Sequence, residues 1–348
     1  MVKTFFTIGI FFALTPFSKK PTKLERFYSI LVFIVCNIGT IVTLNFRKSL
    51  YMRLRPLQAT LWLFSDLTRY GHLVHIFVVL TWFKRKNWFK LVKNMQKIGT
   101  PVRGKHDLGI FVLAHFGFLA IMGLMLYGCF GALGAECLKL YQVENYEFYS
   151  QFFYMLFACF VLKLVLRRYN LQKRKLLETK FDMIRLRNVK NDLITLRATL
   201  DVFNDVFGAV ILWNILYISA KSLIYLDNIT KQELAFKKAG PGVNNNLFYC
   251  IQCGIMTIFW GSIVTIVILS QRILAQFDDI LKVLDGINLN SKKLDNTTTN
   301  MKKIIQDVKN NRPKITASRF FQINKLLLFK IVNTFITFFL VLVQFDTK

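Results

Sequence analysis

Residues 247–270 read LFYCIQCGIMTIFWGSIVTIVILS, an uninterrupted run with no charged side chain. A helix crossing the ~30 Å hydrocarbon core of a bilayer needs about 20 such residues, and this run supplies them. Directly after it, Ile273, Leu274, Phe277, Ile280, Leu281 and Leu284 fall at the i, i+1, i+4, i+7, i+8, i+11 spacing of one helix face. The pattern is a membrane span that continues as an amphipathic helix into a basic segment. The other apolar runs are likewise separated by basic segments.

Over 348 residues, 54% are hydrophobic and 15% aromatic, including 35 Phe. The mean hydropathy is +0.40. Soluble domains are about 45–50% apolar, so the excess is more than a core requires. Charged residues still make up 19%, with 47 Lys and Arg against 19 Asp and Glu. Both facts hold together only if charge and apolar surface are segregated along the chain. Disordered, collagen-like and disulfide-scaffold classes are excluded. A net charge of +28 ordinarily suggests nucleic acid. Here the basic residues sit between apolar runs, where they orient loops and meet anionic lipid. Membrane lipid is the expected partner, and nucleic acid is not.

Seven stretches reach membrane-span length: 27–46, 57–83, 108–134, 148–166, 203–226, 247–270 and 321–345. The second carries Asp66, Arg69, His72 and His75. The last holds Lys325 and Lys330, so its membrane part is placed from Ile331. The N-terminus and alternate loops (1–26, 84–107, 167–202, 271–320) contain 33 of the 47 Lys and Arg, and the opposite loops contain 9. The positive-inside rule then places the N-terminus in the cytoplasm and the C-terminus outside. The sides differ less in density than in count, because 47–56 holds Arg47, Lys48, Arg53 and Arg55. Under this topology the sequon at Asn228 is extracellular and open to glycosylation, while that at Asn296 stays bare.

The apolar run at 5–17 has two readings. Its length suits a signal peptide, but Ala13-Leu14-Thr15 before Pro16 is a poor cleavage site. A short interfacial helix on the cytoplasmic face fits better. Leu177, Phe181 and Ile184 recur at helical spacing after span four, and Met301, Ile304, Ile305 and Val308 form a further short amphipathic helix. The polar stretch 288–300 between them and span six reads as a flexible connection. The expected organisation is one all-α membrane domain over 1–348. A cytoplasmic segment occupies 1–26, spans one to six with a pocket occupy 27–270, cytoplasmic helices occupy 271–330, and a last helix with a short tail occupies 331–348.

Polar and aromatic side chains in the outer halves of spans two to six are the ligand candidates, since polar groups in lipid are costly without a partner or a use. In span five, Asn214, Tyr217 and Lys221 share one face, with Trp213 alongside. Span two offers Asp66 and Arg69, three apart and able to neutralise one another as a structural pair. Span four offers Gln151 and Tyr154, and span six offers Gln252, Thr257 and Trp260. Such a pocket suits a small organic ligand, including sugars and bitter plant compounds. Cys137 has Cys250 as a possible disulfide partner, although unpaired membrane cysteines are the commoner state. Cys250 and Cys253 have C-x-x-C spacing but no second pair, so no metal and no cofactor is expected. No nucleotide-binding, metalloprotease or nucleophile-elbow motif is present, and no enzyme activity is expected.

The last span ends Thr337-Phe338-Phe339-Leu340-Val341-Leu342-Val343-Gln344-Phe345. This resembles the Thr-Tyr-five-hydrophobics-Gln-Phe signature that closes the seventh helix of insect gustatory receptors, with Phe338 standing where the family has Tyr. The resemblance implies a tetrameric, ligand-gated, non-selective cation channel, homo- or heteromeric, in the plasma membrane of sensory neurons. The final helices would line the pore, the cytoplasmic helices would join the subunits, and a tastant pocket would lie in each bundle. Monovalent and divalent cations would pass. Gln344 and Phe345 would form polar and apolar rings, Val341 and Leu342 the narrow section, and Thr337 would bond back one turn or to a neighbour. On residue type alone, Gln344 reads better as the first residue in the interfacial water. An odorant receptor of the same superfamily is the near alternative. A G-protein-coupled receptor is the distant one; it expects an external N-terminus, and neither Asp-Arg-Tyr after span three nor Asn-Pro-x-x-Tyr in span seven is present. An epitope tag at the N-terminus should be reached by antibody only after cells are permeabilised; staining of intact cells would reverse the topology.

Overall fold

A computed structural model describes residues 2–52, 54–97, 105–177, 183–236, 245–291 and 295–346. Ten α-helices account for nearly all of them: α1 Val2–Phe11, α2 Lys23–Tyr51, α3 Pro56–Val74, α4 Arg85–Lys97, α5 Lys105–Leu133, α6 Glu136–Leu177, α7 Met183–Phe236, α8 Asn245–Ser291, α9 Asp295–Asn310 and α10 Lys325–Asp346. Six of the seven apolar stretches lie within single helices or nearly so. The fifth and sixth run on far past membrane length, as the amphipathic pattern after residue 270 requires. Among the described residues, five helices (α2, α5, α6, α7 and α8) contain segments long and apolar enough to cross a membrane. The stretch 57–83 is broken by its own geometry: α3 passes into a π-helical segment, His75–Phe83. Within it the Thr81 hydroxyl donates to the Ile76 carbonyl, five residues back, at 3.0 Å.

The helices divide by which faces they bury. α6 and α7 form the centre, with Phe153, Tyr154, Phe157, Phe203, Phe207 and Tyr217 all fully buried. α2 and α5 lie outside them and turn Ile34, Val35, Ile38, Ile41, Leu113 and Phe116 outward. An apolar outer face of that kind is stable only against hydrocarbon.

Four expectations change. First, α1 is not laid on the surface. Phe5 is fully buried, stacked on Phe157 with ring centroids 4.6 Å apart. The chain turns at Ala13, whose φ of 55° lies in the left-handed region. It then returns to Ser18, whose carbonyl accepts a bond from Arg85 at the start of α4. This re-entrant path is possible because tyrosines satisfy its backbone: Tyr146 donates to the Phe12 carbonyl at 2.7 Å, and Tyr154 donates to that of Leu14. Second, segments 47–56 and 135–147 are not mainly loops. α2 runs to Tyr51 and α6 starts at Glu136, which puts Arg47, Glu144 and Glu147 inside the bundle. Third, Cys137 is bonded to Cys129, not Cys250. The bridge closes the α5–α6 turn around Gly134, where φ is 57°. Cys36, Cys159 and Cys253 are free thiols; the Cys250 side chain lies outside the described residues. Fourth, most of 288–300 is helical, as the end of α8 and the start of α9, with 292–294 outside the described residues.

The amphipathic stripe after residue 270 is buried as its spacing requires: Ile273, Phe277, Ile280 and Leu284 pack with Met301 and Val308 of α9. Phe181 lies outside the described residues, while Leu177 and Ile184 are exposed ends of two separate helices. Ion pairs finish the assembly, Lys173 to Asp279 at 2.7 Å and Lys190 to Asp307 at 2.6 Å.

Between α9 and α10, Thr316–Ala317 and Phe321–Gln322 pair antiparallel as a small hairpin, so α10 begins at Lys325 and not at residue 321. The hairpin lies directly on α7 at Gly208. A Cβ there would meet the Ser318 amide nitrogen at 2.6 Å and the Thr316 carbonyl oxygen at 3.0 Å. Both are backbone atoms, which cannot swing aside. Gly208→Ala should therefore cost about 1–3 kcal/mol by overpacking, seen as a lower thermal midpoint in detergent; an unchanged midpoint would mean the hairpin is not docked there.

Candidate functional site

Where α2, α3, α6 and α7 meet, six ionisable side chains are buried together. Arg47 comes from α2, Asp66 and Arg69 from α3, Glu144 and Glu147 from α6, and Lys221 from α7. Arg47 bonds Asp66 at 3.1 Å and also Glu144. Arg69 bonds Asp66 at 2.5 Å and forms ion pairs with Glu144 at 2.6 Å and Glu147 at 3.3 Å. Lys221 lies 3.7 Å from Glu144, with its ammonium 4.3 Å from the centre of the Trp62 ring. Three cations and three anions cancel. That balance is what allows ions at this depth, because an unpaired charge there costs several kcal/mol.

Tyr51 caps the cluster by donating to Asp66. Burial first, and then the adjacent Asp66 carboxylate, hold its hydroxyl above the usual phenol range. Gln58 at the start of α3 donates to Asp227 of α7.

The network continues into a layer of neutral polar groups. His72, Gln151, Asn214 and Tyr217 are each fully buried. Among the described residues, both His72 ring nitrogens, both Gln151 amide atoms, the Asn214 Oδ1 and the Tyr217 hydroxyl have no hydrogen-bond partner. Asn214 uses its Nδ2 on the Val210 carbonyl at 2.9 Å. Buried polar groups are nearly always satisfied, so a concentration of unsatisfied ones marks a place for water or a polar ligand. Close approach of α3 to α7 beneath this layer depends on Gly71, where a Cβ would fall 2.7 Å from the Trp213 ring.

The sequence-derived candidates divide accordingly. Asp66, Arg69, Gln151, Tyr154, Asn214, Tyr217 and Lys221 are buried around this junction, with Trp213 at its half-buried edge. Asp66 and Arg69 do neutralise one another, as members of a larger set. Tyr154 spends its hydroxyl on Leu14 and faces His72 edge-on at 6.3 Å between centroids. Thr257 leaves the set: it is exposed, and its hydroxyl bonds back to the Cys253 carbonyl at 2.8 Å. Trp260 is a connector, donating to Ser222 of α7 at 3.0 Å and meeting Phe335 of α10 at 5.6 Å. Thr337 bonds back to the Asn333 carbonyl at 3.0 Å. The side chains of Asn228, Gln252, Val341, Leu342, Gln344 and Phe345 lie outside the described residues.

Arg47, Glu144, Glu147 and His72 were not among the candidates. The signal for them was stoichiometric: Glu144 and Glu147, i and i+3 at the start of span four, complement basic residues in spans one and two.

A family model described as 7tm Chemosensory receptor matches residues 2–348. The chain belongs to the seven-transmembrane chemosensory receptor family. Among solved structures, this chemosensory receptor is similar to the insect olfactory receptor OR5 from Machilis hrabei. The TM-score is 0.65 at 14% identity, covering 99% of this chain and 97% of that one. The same receptor in complex with eugenol gives a TM-score of 0.59 at 14% identity, over 99% and 98% of the two chains. No curated protein matches the sequence. The fold is therefore shared with OR5, and the chain is a membrane protein of the chemosensory receptor family.

Arg69→Met leaves the cluster with an excess buried negative charge. It should lose about 3–5 kcal/mol of stability, measured as a fall in the thermal midpoint. Adding Glu144→Gln restores neutrality and should recover part of the loss. Additive losses in the double variant would mean the charges do not act as one network.

Proposed function

We propose that this chain is a gustatory receptor: a ligand-gated, non-selective cation channel of the sensory-neuron plasma membrane, opened by small organic tastants. The observation that carries the reading is the layer of unsatisfied polar groups at His72, Gln151, Asn214 and Tyr217, buried inside a chemosensory receptor. Polar groups disposed this way favour a compact molecule with several hydrogen-bonding groups, held among aromatic side chains. OR5 is described in complex with eugenol, a small organic ligand. A corresponding site is expected here.

Gating follows from how these groups are connected. Asn214, Tyr217 and Ser222 lie on α7, Ser222 holds Trp260 of α8, and Trp260 touches Phe335 of α10. A ligand that binds better when α7 and α8 are displaced shifts α10 by the same equilibrium. Four α10 helices around an axis would then carry Val341, Leu342, Gln344 and Phe345 as the pore lining, with Thr337 keeping its helix regular. The outward face of α10, with Phe329, Val332, Ile336 and Leu340 exposed, suits contact with neighbouring subunits or lipid. The basic extensions of α6 to α9 are placed in the cytoplasm, where they would join subunits, and the whole chain acts as one domain.

An odorant receptor is the second reading, favoured by the likeness to OR5. The Gln344-Phe345 ending supports the gustatory branch.

Whole-cell recording against sugars and bitter compounds tests the proposal. The expected result is an inward cation current that survives G-protein blockade. Gln344→Ala should alter its permeation, and Asn214→Ala should weaken the response at least tenfold in ligand concentration, the worth of one buried hydrogen bond (~1.4 kcal/mol). Permeation unaffected by Gln344→Ala would remove that residue from the pore.

A further inference from the structure

α4 carries a charge pattern that the bundle does not use. Arg85–Lys97 holds five basic residues and no acidic one. Its two faces are opposed. Trp88 and Leu91 are buried, and Met95 packs against the same core. Lys86, Lys90 and Lys93, at i, i+4 and i+7, form an exposed stripe on the other side. Among the described residues, none of these three lysines has an ion-pair or hydrogen-bond partner. The carboxylates around the first turn are engaged elsewhere. Glu25 accepts from the Thr22 amide at 2.9 Å and the Ser18 hydroxyl at 3.1 Å, and Asp205 pairs with Arg319 at 3.1 Å. Like charges at this spacing destabilise a helix, and a surface of opposite sign removes that cost.

The depth of α4 is fixed by its contacts. Trp88 stacks on Phe157 at 5.6 Å between centroids and meets Phe207 edge-on at 5.5 Å, both inside apolar stretches of membrane length. Lys84 donates to the Asp205 carbonyl at 2.7 Å, where the fifth stretch passes into its basic extension. Just before the helix, Trp82 and Phe83 are 48% and 79% exposed. Aromatic side chains collect in this way at a membrane–water boundary. α4 therefore leaves the bundle at the depth of the phospholipid headgroups.

We propose that the lysine face of α4 docks on the anionic phospholipid surface of the leaflet adjoining the basic extensions of α6, α7 and α8. The buried face decides against an acidic helix-wrapping protein, which would need Trp88 and Leu91 and would have to pull α4 off α7. Only the charged face is free, and it suits a surface of fixed negative charge. Lys86 to Lys93 spans ~10 Å along the helix. That is about one Debye length at 0.1 M salt, so the three ammonium groups act on one patch of several headgroups. The attachment bears on the core through Trp88, which also lies 6.1 Å from Tyr154.

The test is amine footprinting of the full chain in lipid nanodiscs, with each labelled lysine read by mass spectrometry. It requires neither ligand nor current and is independent of the channel proposal. Replacing part of the phosphatidylcholine with phosphatidylserine should slow labelling of Lys86, Lys90 and Lys93 by about fivefold, the equivalent of ~1 kcal/mol per lysine near such a surface. Salt at about 1 M, which shortens screening to ~3 Å, should abolish the protection. Lys302 on α9 is also exposed, far along the basic extension, and should label equally in both lipids. Lys90→Glu should release Lys86 and Lys93 from protection, whereas Lys90→Arg should keep it; both changes are on the exposed face and leave the Trp88 packing intact. Equal labelling of the stripe in the two lipids, protection that survives salt or Lys90→Glu, equal protection of Lys302, or binding of calcium-loaded calmodulin to α4 in neutral detergent would each overturn the proposal.

Discussion

Charge neutrality inside a buried helix junction is the constraint on which the bundle depends. Arg47, Asp66, Arg69, Glu144, Glu147 and Lys221 come from four helices, and none is tolerable at that depth without the others. Rotating a helix by one residue turns its side chains by ~100°, enough to carry a charge out of contact. The network therefore fixes the rotation and height of α2, α3, α6 and α7 together. Apolar packing alone would not, since one leucine against lipid is worth nearly the same as another.

Once those four helices are fixed, the rest has little freedom. The unsatisfied groups at His72, Gln151, Asn214 and Tyr217 lie between the charged junction and the aromatic centre. The N-terminal segment fills space beside α6 that would otherwise be a void. It can do so only because Tyr146 and Tyr154 present hydroxyls at the depth where its helix ends. Below, the extensions of α6, α7 and α8 keep the same rotation, and surface ion pairs such as Lys173–Asp279 add register more than stability.

Much of this was legible in the chain. The span positions, the continuation of span six past Ile273, and the face carrying Asn214, Tyr217 and Lys221 all follow from periodicities of 3.6 residues, which any isolated helix obeys. Asp66 and Arg69 announced their pairing by spacing alone. Arg47, Glu144 and Glu147 did not, because each sits at the end of an apolar run, where a charge ordinarily marks the start of a loop. Cys129 was similarly hidden: its bond to Cys137 depends on a turn at Gly134 that brings two helix ends together.

By itself, then, the sequence determined that this is an all-helical membrane protein with basic helical extensions, since segregation of apolar and charged residues is a property of the linear chain. Tertiary structure decided which charges are partners, that residues 2–18 pack back against the bundle, and which candidates are buried together. Those outcomes rest on contacts between residues as distant as Arg47 and Glu144, or Leu14 and Tyr154. No local period encodes such contacts, because they exist only once separate helices have been brought to the same depth and rotation.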